Sequence, residues 1–496
     1  DFTVFRIYTA PDGSPAKYSK DNVPLHPKHF LPISLKGYQP GDYTMIWGYP
    51  GTTERFLTSY EVQYAIDVKD PAVYEPLDII LPVITEHMNA DEAVRLQYAD
   101  DHASLSNYWK NQHGEVNSLK NLRVVEKKQQ EEKELTQWIN ANSDRQKKYG
   151  KCLSDIQKAV AGINGDAYKA MSNANFCLSA SATLLAAWRT HNSLLLKKDE
   201  KGKLEKGFKD TKIDALLAVY DKNCNNKDKQ TEIDIIMATM KTWKRLPADK
   251  QPNFDEFMTK MYKGNCENFK KALSNSIFIS RENFENYLRK PNNKLLENDP
   301  IYLYIQSMKG VIMVNQHVYN DMDNLDVPRR TYLAAVKEFK SANPIYPDAN
   351  STMRTTYGTV CDYYPADGVH YNYFTTTKGI LQKEKPGDPE FDVPAKLKDL
   401  ILSKDFGQYA DKDGDLHVCF LSNNDITGGN SGSPIMNGNG ELIGLAFDGN
   451  WEALSSDIVF NTELQRCINV DARYVLFVID KFGGAGYLLN EMDIRK

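Results

Sequence analysis

Hydrophobic and polar positions divide the chain into three zones. In residues 1–53 and 344–496, short runs rich in aromatic and β-branched residues are separated by Gly, Pro, Asn and Asp, as in FTVFRIY, YTMIWGYPG, VHYNYFTTT and ELIGLAFDG. Such runs predict β-strands joined by turns. Residues 54–343 instead carry apolar residues at helical spacing among Glu, Lys and Gln. That pattern predicts amphipathic α-helices.

The segment that begins at Asp299-Pro300 illustrates the helical pattern. Asp is a common helix cap, and Pro is favoured at the first helical position. Apolar residues then recur every three or four positions, which predicts one face packed into a core. They are Ile301, Tyr304, Ile305, Met308 and Ile312.

The order of the zones predicts an α+β fold. A β-barrel protein would be interrupted by a helical insert of about 290 residues, which is large enough to be a domain by itself. The predicted domains are a β-barrel segment over 1–53, an inserted α-helical domain over 54–343 and a C-terminal β-barrel over 344–496.

Composition and charge argue against some classes of partner for this chain. The chain has 496 residues with 41% hydrophobic and 26% charged side chains, and its net charge is −5. These values are ordinary for a globular protein and favour neither nucleic acid nor an anionic membrane as partner. No apolar run reaches the roughly 18–20 residues of a membrane span. The chain opens inside a predicted strand and without Met, so we expect residue 1 not to be the natural start.

The cysteines argue against a metal centre. Seven cysteines are scattered without CxxC pairs, so we expect neither a zinc site nor a cofactor. The sequence leaves disulfide pairing open. The turn DKDGD at 411–415 lacks the spacing of a calcium loop and is interpreted as a surface turn. GYPG at 48–51 is interpreted as a hairpin turn.

The strongest chemical motif is TGGNSGSP, between a predicted strand and a predicted hairpin. A serine nucleophile needs a hydroxyl held out of a tight turn and backbone N–H groups where an oxyanion forms. Glycines permit such a turn. We therefore predict Ser431 as a nucleophile and the N–H groups of Gly429 and Ser431 as oxyanion donors. The alternative is a hairpin loop without chemistry.

A serine nucleophile also needs a base and an orienting carboxylate. Of the nine histidines, His417 lies 14 residues before Ser431 on a predicted strand, and we interpret it as a structural residue of the barrel. TGGNSGSP resembles the GDSGGP loop of chymotrypsin-like peptidases, with Asn430 in place of the usual Asp. That departure implies no activation by a new amino terminus. No histidine sits in a motif resembling the family's catalytic-His loop, so we expect the base upstream of this chain.

A closer resemblance covers essentially the whole chain. NDITGGNSGSP, GELIGLAFDGNWE, YPDANSTMRTTYG and GGAGYLLNEM resemble the bacterial dipeptidyl-peptidase 7 and 11 family. This resemblance implies a chymotrypsin-like double β-barrel, of which mainly the second barrel is present, with a helical cap inserted. It also implies peptide substrates with a free amino terminus, the periplasm or cell surface of a Gram-negative bacterium, and a family N-terminal segment absent here. A homodimer stays open.

The resemblance assigns roles to individual positions. Asp1, followed by Phe2, matches the triad aspartate, and its alternative is a plain chain terminus. Asp448 in FDGN and Asn107 in SLSNYWKN match residues that hold the substrate's amino group; for Asn107 the alternative is a local hydrogen bond. Gly449 matches the specificity position, where glycine goes with a hydrophobic second residue and a basic residue with Asp or Glu.

Three functions therefore remain in competition. The first is a serine dipeptidyl aminopeptidase that acts through an acyl-enzyme on Ser431 and prefers a hydrophobic second residue, or alternatively Asp or Glu. The second is an endopeptidase of the same fold. The third is a peptide-binding protein without catalysis, because no base has been found in this chain.

Overall fold

A computed structural model describes residues 2–198, 203–224 and 226–496. It contains both α-helices and a sheet whose strands are mainly antiparallel, which confirms the predicted α+β class. The chain forms two compact units. The β unit contains residues 2–53, Ala349–Ser456 and Phe460–Lys496, and the helical unit contains Glu54–Asp348 and Asp457–Val459. The functional names given to the predicted domains stay a prediction.

The helical unit is built from helices with ordinary start signals. Asp299 caps the helix at Pro300, because its carboxylate accepts hydrogen bonds from the N–H groups of Ile301 and Tyr302. The predicted apolar face of this helix is buried at Ile301, Tyr304, Ile305 and Met308. The helices are α1 (Ser59–Tyr64), α2 (Pro71–Ala90), α3 (Glu92–Asn121), α4 (Val124–Asn140), α5 (Ser143–Tyr149), α6 (Cys152–Gly162), α7 (Gly165–Ala180), α8 (Ala182–Thr190), α9 (Asp210–Cys224), α10 (Lys229–Trp243), α11 (Phe254–Tyr262), α12 (Cys266–Leu273), α13 (Arg281–Arg289), α14 (Asn293–Glu297), α15 (Pro300–Asn315), α16 (Val318–Asp323) and α17 (Asp326–Phe339).

The β unit contains short strands and three further helices. The strands are β1 (Tyr8–Thr9), β2 (Val23–Pro24), β3 (Ile33–Ser34), β4 (Tyr43–Gly48), β5 (Arg354–Thr359), β6 (Tyr363–Ala366), β7 (Val369–Tyr371), β8 (Phe374–Thr376), β9 (His417–Ser422), β10 (Pro434–Met436), β11 (Leu442–Gly449), β12 (Cys467–Asp471) and β13 (Ile494–Arg495). The helices are α18 (Thr377–Lys383), α19 (Ala395–Leu402) and α20 (Ala472–Phe477).

The principal sheet runs in the order β5-β4-β10-β11-β12-β9-β8. An antiparallel bridge between Val360 and Ser422 joins the end of β5 to β9, so the six strands from β5 to β9 close into a barrel. Its interior holds apolar side chains that include Ile46, Phe420 and Ile435, each fully buried. The predicted pairing of this barrel with a second one stays a prediction.

Two local expectations were wrong. FTVFRIY predicts a long strand, but the structure has only Tyr8–Thr9 in β1, and residues 2–8 are exposed. The reason is that the sole ladder of this segment is the two-residue pairing with Val23–Pro24. GYPG is not a hairpin turn, because β4 before it pairs with β5, which lies about 300 residues later in the chain.

The chemistry of the described residues adds two facts. All seven cysteines fall within them, and all seven are free thiols, so the disulfides that the sequence left open do not form. Among the described helices, none combines the length and apolar character needed to cross a membrane.

Candidate active site

The TGGNSGSP segment folds into two consecutive β-turns that share Asn430. The Asn430 N–H donates to the Thr427 carbonyl at 3.0 Å, and the Ser433 N–H donates to the Asn430 carbonyl at 2.9 Å. The third residue of each turn has a positive φ, +105° at Gly429 and +82° at Gly432. This combination is a type II turn, which requires glycine or asparagine at that position. The glycines of the motif are therefore required by the backbone.

Ser431 occupies the second position of the second turn and is exposed. Within the described part of the chain, neither its N–H nor that of Gly429 donates to another protein group, and no group hydrogen-bonds its hydroxyl. The loop thus presents a hydroxyl and two unsatisfied N–H donors at the surface. A serine nucleophile and an oxyanion site need these groups. The roles themselves stay predictions.

Strand β11 fixes the position of this loop. The Gly432 N–H donates to the Ala446 carbonyl at 2.7 Å, and the Ala446 N–H donates to the Ser433 carbonyl at 2.9 Å. These bonds continue the β10–β11 ladder, in which Pro434 pairs with Leu445. The loop therefore lies at the open end of the β10–β11 hairpin.

Asp448 and Gly449 lie at the same end of β11. The pairing of β11 with β12 shifts between Ala446 and Asp448, so Phe447 is the extra residue of a β-bulge. Asp448 is exposed, and its Oδ1 accepts a hydrogen bond from the Gly449 N–H at 2.8 Å. The structure therefore brings a carboxylate and the loop of the candidate nucleophile to one end of a strand.

Gly449 packs closely against the short 3₁₀ segment Trp451–Ser455. A Cβ at Gly449 would lie 3.0 Å from the Cβ of Ala453, tighter than an ordinary contact. A side chain at this position would require Ala453 to shift by a few tenths of an ångström. A close backbone approach explains the glycine here independently of substrate preference.

Two further predicted site residues are Asn107 and Asp1. Asn107 lies exposed on α3 of the helical unit. Asp1 lies outside the described residues. For both, the roles implied by the resemblance stay predictions.

The histidines do not supply a base for Ser431. All nine fall within the described residues, and none of them hydrogen-bonds Ser431. His417 is buried in β9, where Nε2 lies 3.0 Å from Asp411 Oδ2 and the ring stacks on Phe374, which confirms its structural role. His370 pairs with Asp362 at 2.6 Å on the exposed β6–β7 hairpin. No sequence signal pointed to this pair, because Asp362 lies just before β6 and His370 lies on β7, eight residues later.

Sequence reasoning also missed two residues that build the loop. The side chain of Asn430 is buried, and its Oδ1 accepts from the Thr427 N–H at 3.1 Å. Gly48, at the end of β4, lies against the Asn430 amide and the Ser433 hydroxyl. The signal for Gly48 was the GYPG motif, whose glycines were assigned to a turn.

Comparison with known proteins identifies the family that this site belongs to. The family model described as peptidase S46 matches residues 1–494. The chain belongs to the peptidase S46 family. This confirms the predicted family and the prediction that the chain is a serine peptidase.

Relatives within family S46 carry two different names. Dipeptidyl-peptidase 7 of Phocaeicola vulgatus is 42% identical over 500 residues, which cover 100% of this chain and 68% of that protein. The Asp/Glu-specific dipeptidyl-peptidase of Capnocytophaga gingivalis is 40% identical over 509 residues, covering 100% and 69%. The chain therefore spans about two thirds of the length of these relatives.

A solved structure in the family agrees with the fold. Porphyromonas endodontalis DPP11 in complex with the dipeptide Arg-Glu has a TM-score of 0.87 and 31% sequence identity. The match covers 99% of this chain and 70% of that one.

Proposed function

We propose that the protein is a serine dipeptidyl aminopeptidase that releases N-terminal dipeptides, preferring a hydrophobic second residue, through an acyl-enzyme on Ser431. The observation that carries this proposal is an exposed serine, Ser431, in a loop whose Gly429 and Ser431 N–H groups have no protein partner among the described residues, at the same strand end as Asp448. Membership of family S46, with relatives named dipeptidyl-peptidases, supports it.

The proposed reaction follows from the groups at the loop. Ser431 Oγ attacks the carbonyl carbon of the substrate's second residue, and the hydroxyl proton passes to a base. The Gly429 and Ser431 N–H groups donate to the oxyanion that forms. The tetrahedral intermediate then expels the amine of the third residue, which takes the proton. Water, deprotonated by the same base, hydrolyses the ester and frees the dipeptide.

The assignments of the base and of its orienting carboxylate come from the family resemblance. On the resemblance we propose that the base lies upstream of this chain and that Asp1 orients it. The lack of a histidine bonded to Ser431 among the described residues is consistent with that expectation.

We assign to Asp448 the recognition of the substrate's amino terminus, which limits the released product to a dipeptide. An exposed carboxylate beside the nucleophile loop can bind the substrate's ammonium group by a charge-assisted hydrogen bond. A blocked amino terminus leaves that carboxylate unpaired, which selects against longer or acetylated peptides. By the resemblance, Asn107 would share this task.

Gly449 supports a hydrophobic preference at the second residue, because it adds no charge to the site. The alternative preference for Asp or Glu has support from a relative of that name at nearly the same identity, 40% against 42%. Location in the periplasm or at the cell surface of a Gram-negative bacterium is also proposed. Fractionation that finds the enzyme in the cytoplasm would contradict it.

The test uses the enzyme purified from its source. Release of a fluorophore is compared for Met-Leu, Leu-Asp and acetyl-Met-Leu conjugates, for the wild type, Ser431→Ala and the matched control Ser403→Ala. We expect cleavage of Met-Leu alone, retained in Ser403→Ala and reduced by several orders of magnitude in Ser431→Ala. Preference for Leu-Asp would overturn the specificity. Cleavage of the acetylated conjugate would indicate an endopeptidase, and no cleavage would favour a peptide-binding protein.

A further inference from the structure

Residues 48–51, the GYPG segment, contact the nucleophile loop so closely that its two glycines leave no room for a Cβ unless atoms of the loop move. We refer to this segment as the platform. A Cβ at Gly48 would lie 2.3 Å from Asn430 Nδ2 and 2.5 Å from Ser433 Oγ. Neither distance is compatible with a real side chain. The end of β4 therefore serves as a surface on which the loop rests.

The same closeness holds between the two backbones. The Gly51 N–H donates to the Gly428 carbonyl at 2.7 Å, and a Cβ at Gly51 would lie 2.9 Å from that oxygen. A Cβ at Gly429 would lie 2.3 Å from the Tyr49 carbonyl oxygen. Three glycines thus allow the platform and the loop to touch along their main chains.

Asn430 connects the platform to both turns. Asn430 is only 2% exposed. Its carboxamide oxygen accepts a hydrogen bond from the Thr427 N–H, and its backbone N–H donates to the Thr427 carbonyl. Its carbonyl accepts from Ser433, which closes the second turn. One residue therefore ties the start of the first turn to the end of the second, and Ser431 lies between these ties.

We propose that Asn430, seated on Gly48, is a positioning residue that holds the Ser431 hydroxyl and the two oxyanion N–H groups in place without a charged partner. This inference rests on the proposed reaction at Ser431. Among the described residues, the Asn430 side chain hydrogen-bonds the Thr427 N–H and lies against the Gly48 backbone, and both groups are neutral. A neutral carboxamide fits this site, whereas a carboxylate would be buried there; the charged residue on the neighbouring strand is Arg354, which pairs with Gly48 in the β4–β5 ladder and whose guanidinium hydrogen-bonds Thr352 and Asn350.

The isosteric variant Asn430→Asp gives the sharpest test. Burial raises the pKa of a carboxyl group, because the charged form is desolvated. Below that pKa the protonated side chain imitates the amide, and above it the charge disrupts the loop. We therefore expect the ratio of kcat in the variant to kcat in the wild type to fall at least roughly tenfold as pH rises from about 6 to about 9, with KM little changed; displacement of reacting groups by 1 Å can cost about 10²-fold.

Gly48→Ala tests the platform by itself. We expect about a 10²-fold loss of kcat at every pH, because the Cβ pushes Asn430 away. The matched control is Gly438→Ala, in the β10–β11 turn, where a Cβ meets nothing within 4 Å and φ is ordinary. This control should keep the wild-type kcat and KM.

Hydrogen exchange of the peptide that contains residues 427–433 provides a readout independent of activity. Exchange should be faster in Gly48→Ala, and faster in Asn430→Asp only at high pH, than in the wild type and Gly438→Ala. An unchanged pH ratio together with unchanged exchange would overturn the proposal. If the wild type releases no dipeptide, the proposed function fails, and the exchange data still decide whether Asn430 and Gly48 hold the loop.

Discussion

The two ends of strands β11 and β12 both carry polar residues, but those residues are arranged in opposite ways. At one end lie Asp448 and the loop of Ser431, which are exposed and have few protein partners. At the other end, Asp471 is 1% exposed and accepts hydrogen bonds from the Tyr38 hydroxyl at 2.7 Å and from the Arg473 guanidinium at 2.6 Å. We refer to these as the open end and the closed end.

The closed end is the more highly charged of the two, yet its groups satisfy each other. Tyr38 also hydrogen-bonds His417, whose other ring nitrogen lies 3.0 Å from Asp411. Burial and then the Asp471 charge raise the pKa of Tyr38 well above its ordinary value, and the hydrogen bond to Asp471 helps to raise the pKa of Arg473 despite burial. A buried network whose members are all hydrogen-bonded makes the surrounding core rigid and favours one arrangement of it. At the open end the Gly429 and Ser431 N–H groups have no protein partner among the described residues, and this availability, more than the number of charges, marks the candidate active site.

The largest effect on stability is expected from Arg473→Met. Removing the guanidinium leaves Asp471 buried and unpaired, which costs about 3–5 kcal/mol of unfolding free energy. Urea unfolding followed by hydrogen exchange in β12 measures this loss, while dipeptide release per folded molecule should not change.

Arg495→Met is the matched control for the closed end. Arg495 is 49% exposed and lies 3.5 Å from Glu441, so its loss should cost less than about 1 kcal/mol. Equal destabilisation by both variants would show that the closed end has no special role in stability.

Asp448→Asn tests the open end by removing charge without changing shape. Losing a hydrogen bond to a charged group costs about 1.5–3 kcal/mol, so kcat/KM for Met-Leu conjugates should fall roughly 10–100-fold. The unfolding free energy should stay the same. Asp413→Asn, on the exposed 411–415 turn, should change neither quantity. A loss of stability in place of activity would place Asp448 with the structural residues.

Local signals in the sequence predicted much of this arrangement. Asp299 was predicted as a cap from its type and the following Pro, and the structure confirms it. The glycines around Ser431 predicted tight turns, and the two type II turns are present. These features depend on residues within four positions of each other. Local sequence therefore determines them.

Long-range pairing could not be predicted in the same way. The barrel closes through Val360 and Ser422, and Gly48 contacts Asn430 across nearly 400 residues of chain. Gly and Pro in GYPG indicated a turn, because the sequence does not show which distant backbone approaches. The roles of Asp1, Asn107 and Gly449 came from resemblance alone, and they stay predictions.

The smallest expected effect concerns His417 at the closed end. It is a change in how the unfolding free energy depends on pH. Burial, and next the Arg473 charge, lowers the pKa of His417 below its ordinary value of 6.5. The folded protein therefore binds this proton less readily than the unfolded chain. The resulting stabilisation is fully present above pH 6.5 and is lost as pH falls through the lower folded pKa. His417→Gln removes this titration, so its unfolding free energy should fall less between pH 7 and pH 5 than that of the wild type. His317→Gln, an exposed position on the helical unit, should keep the wild-type slope. If the unfolding free energy of His417→Gln changes with pH in the same way as that of the wild type, then the closed end does not disfavour the charged imidazole of His417.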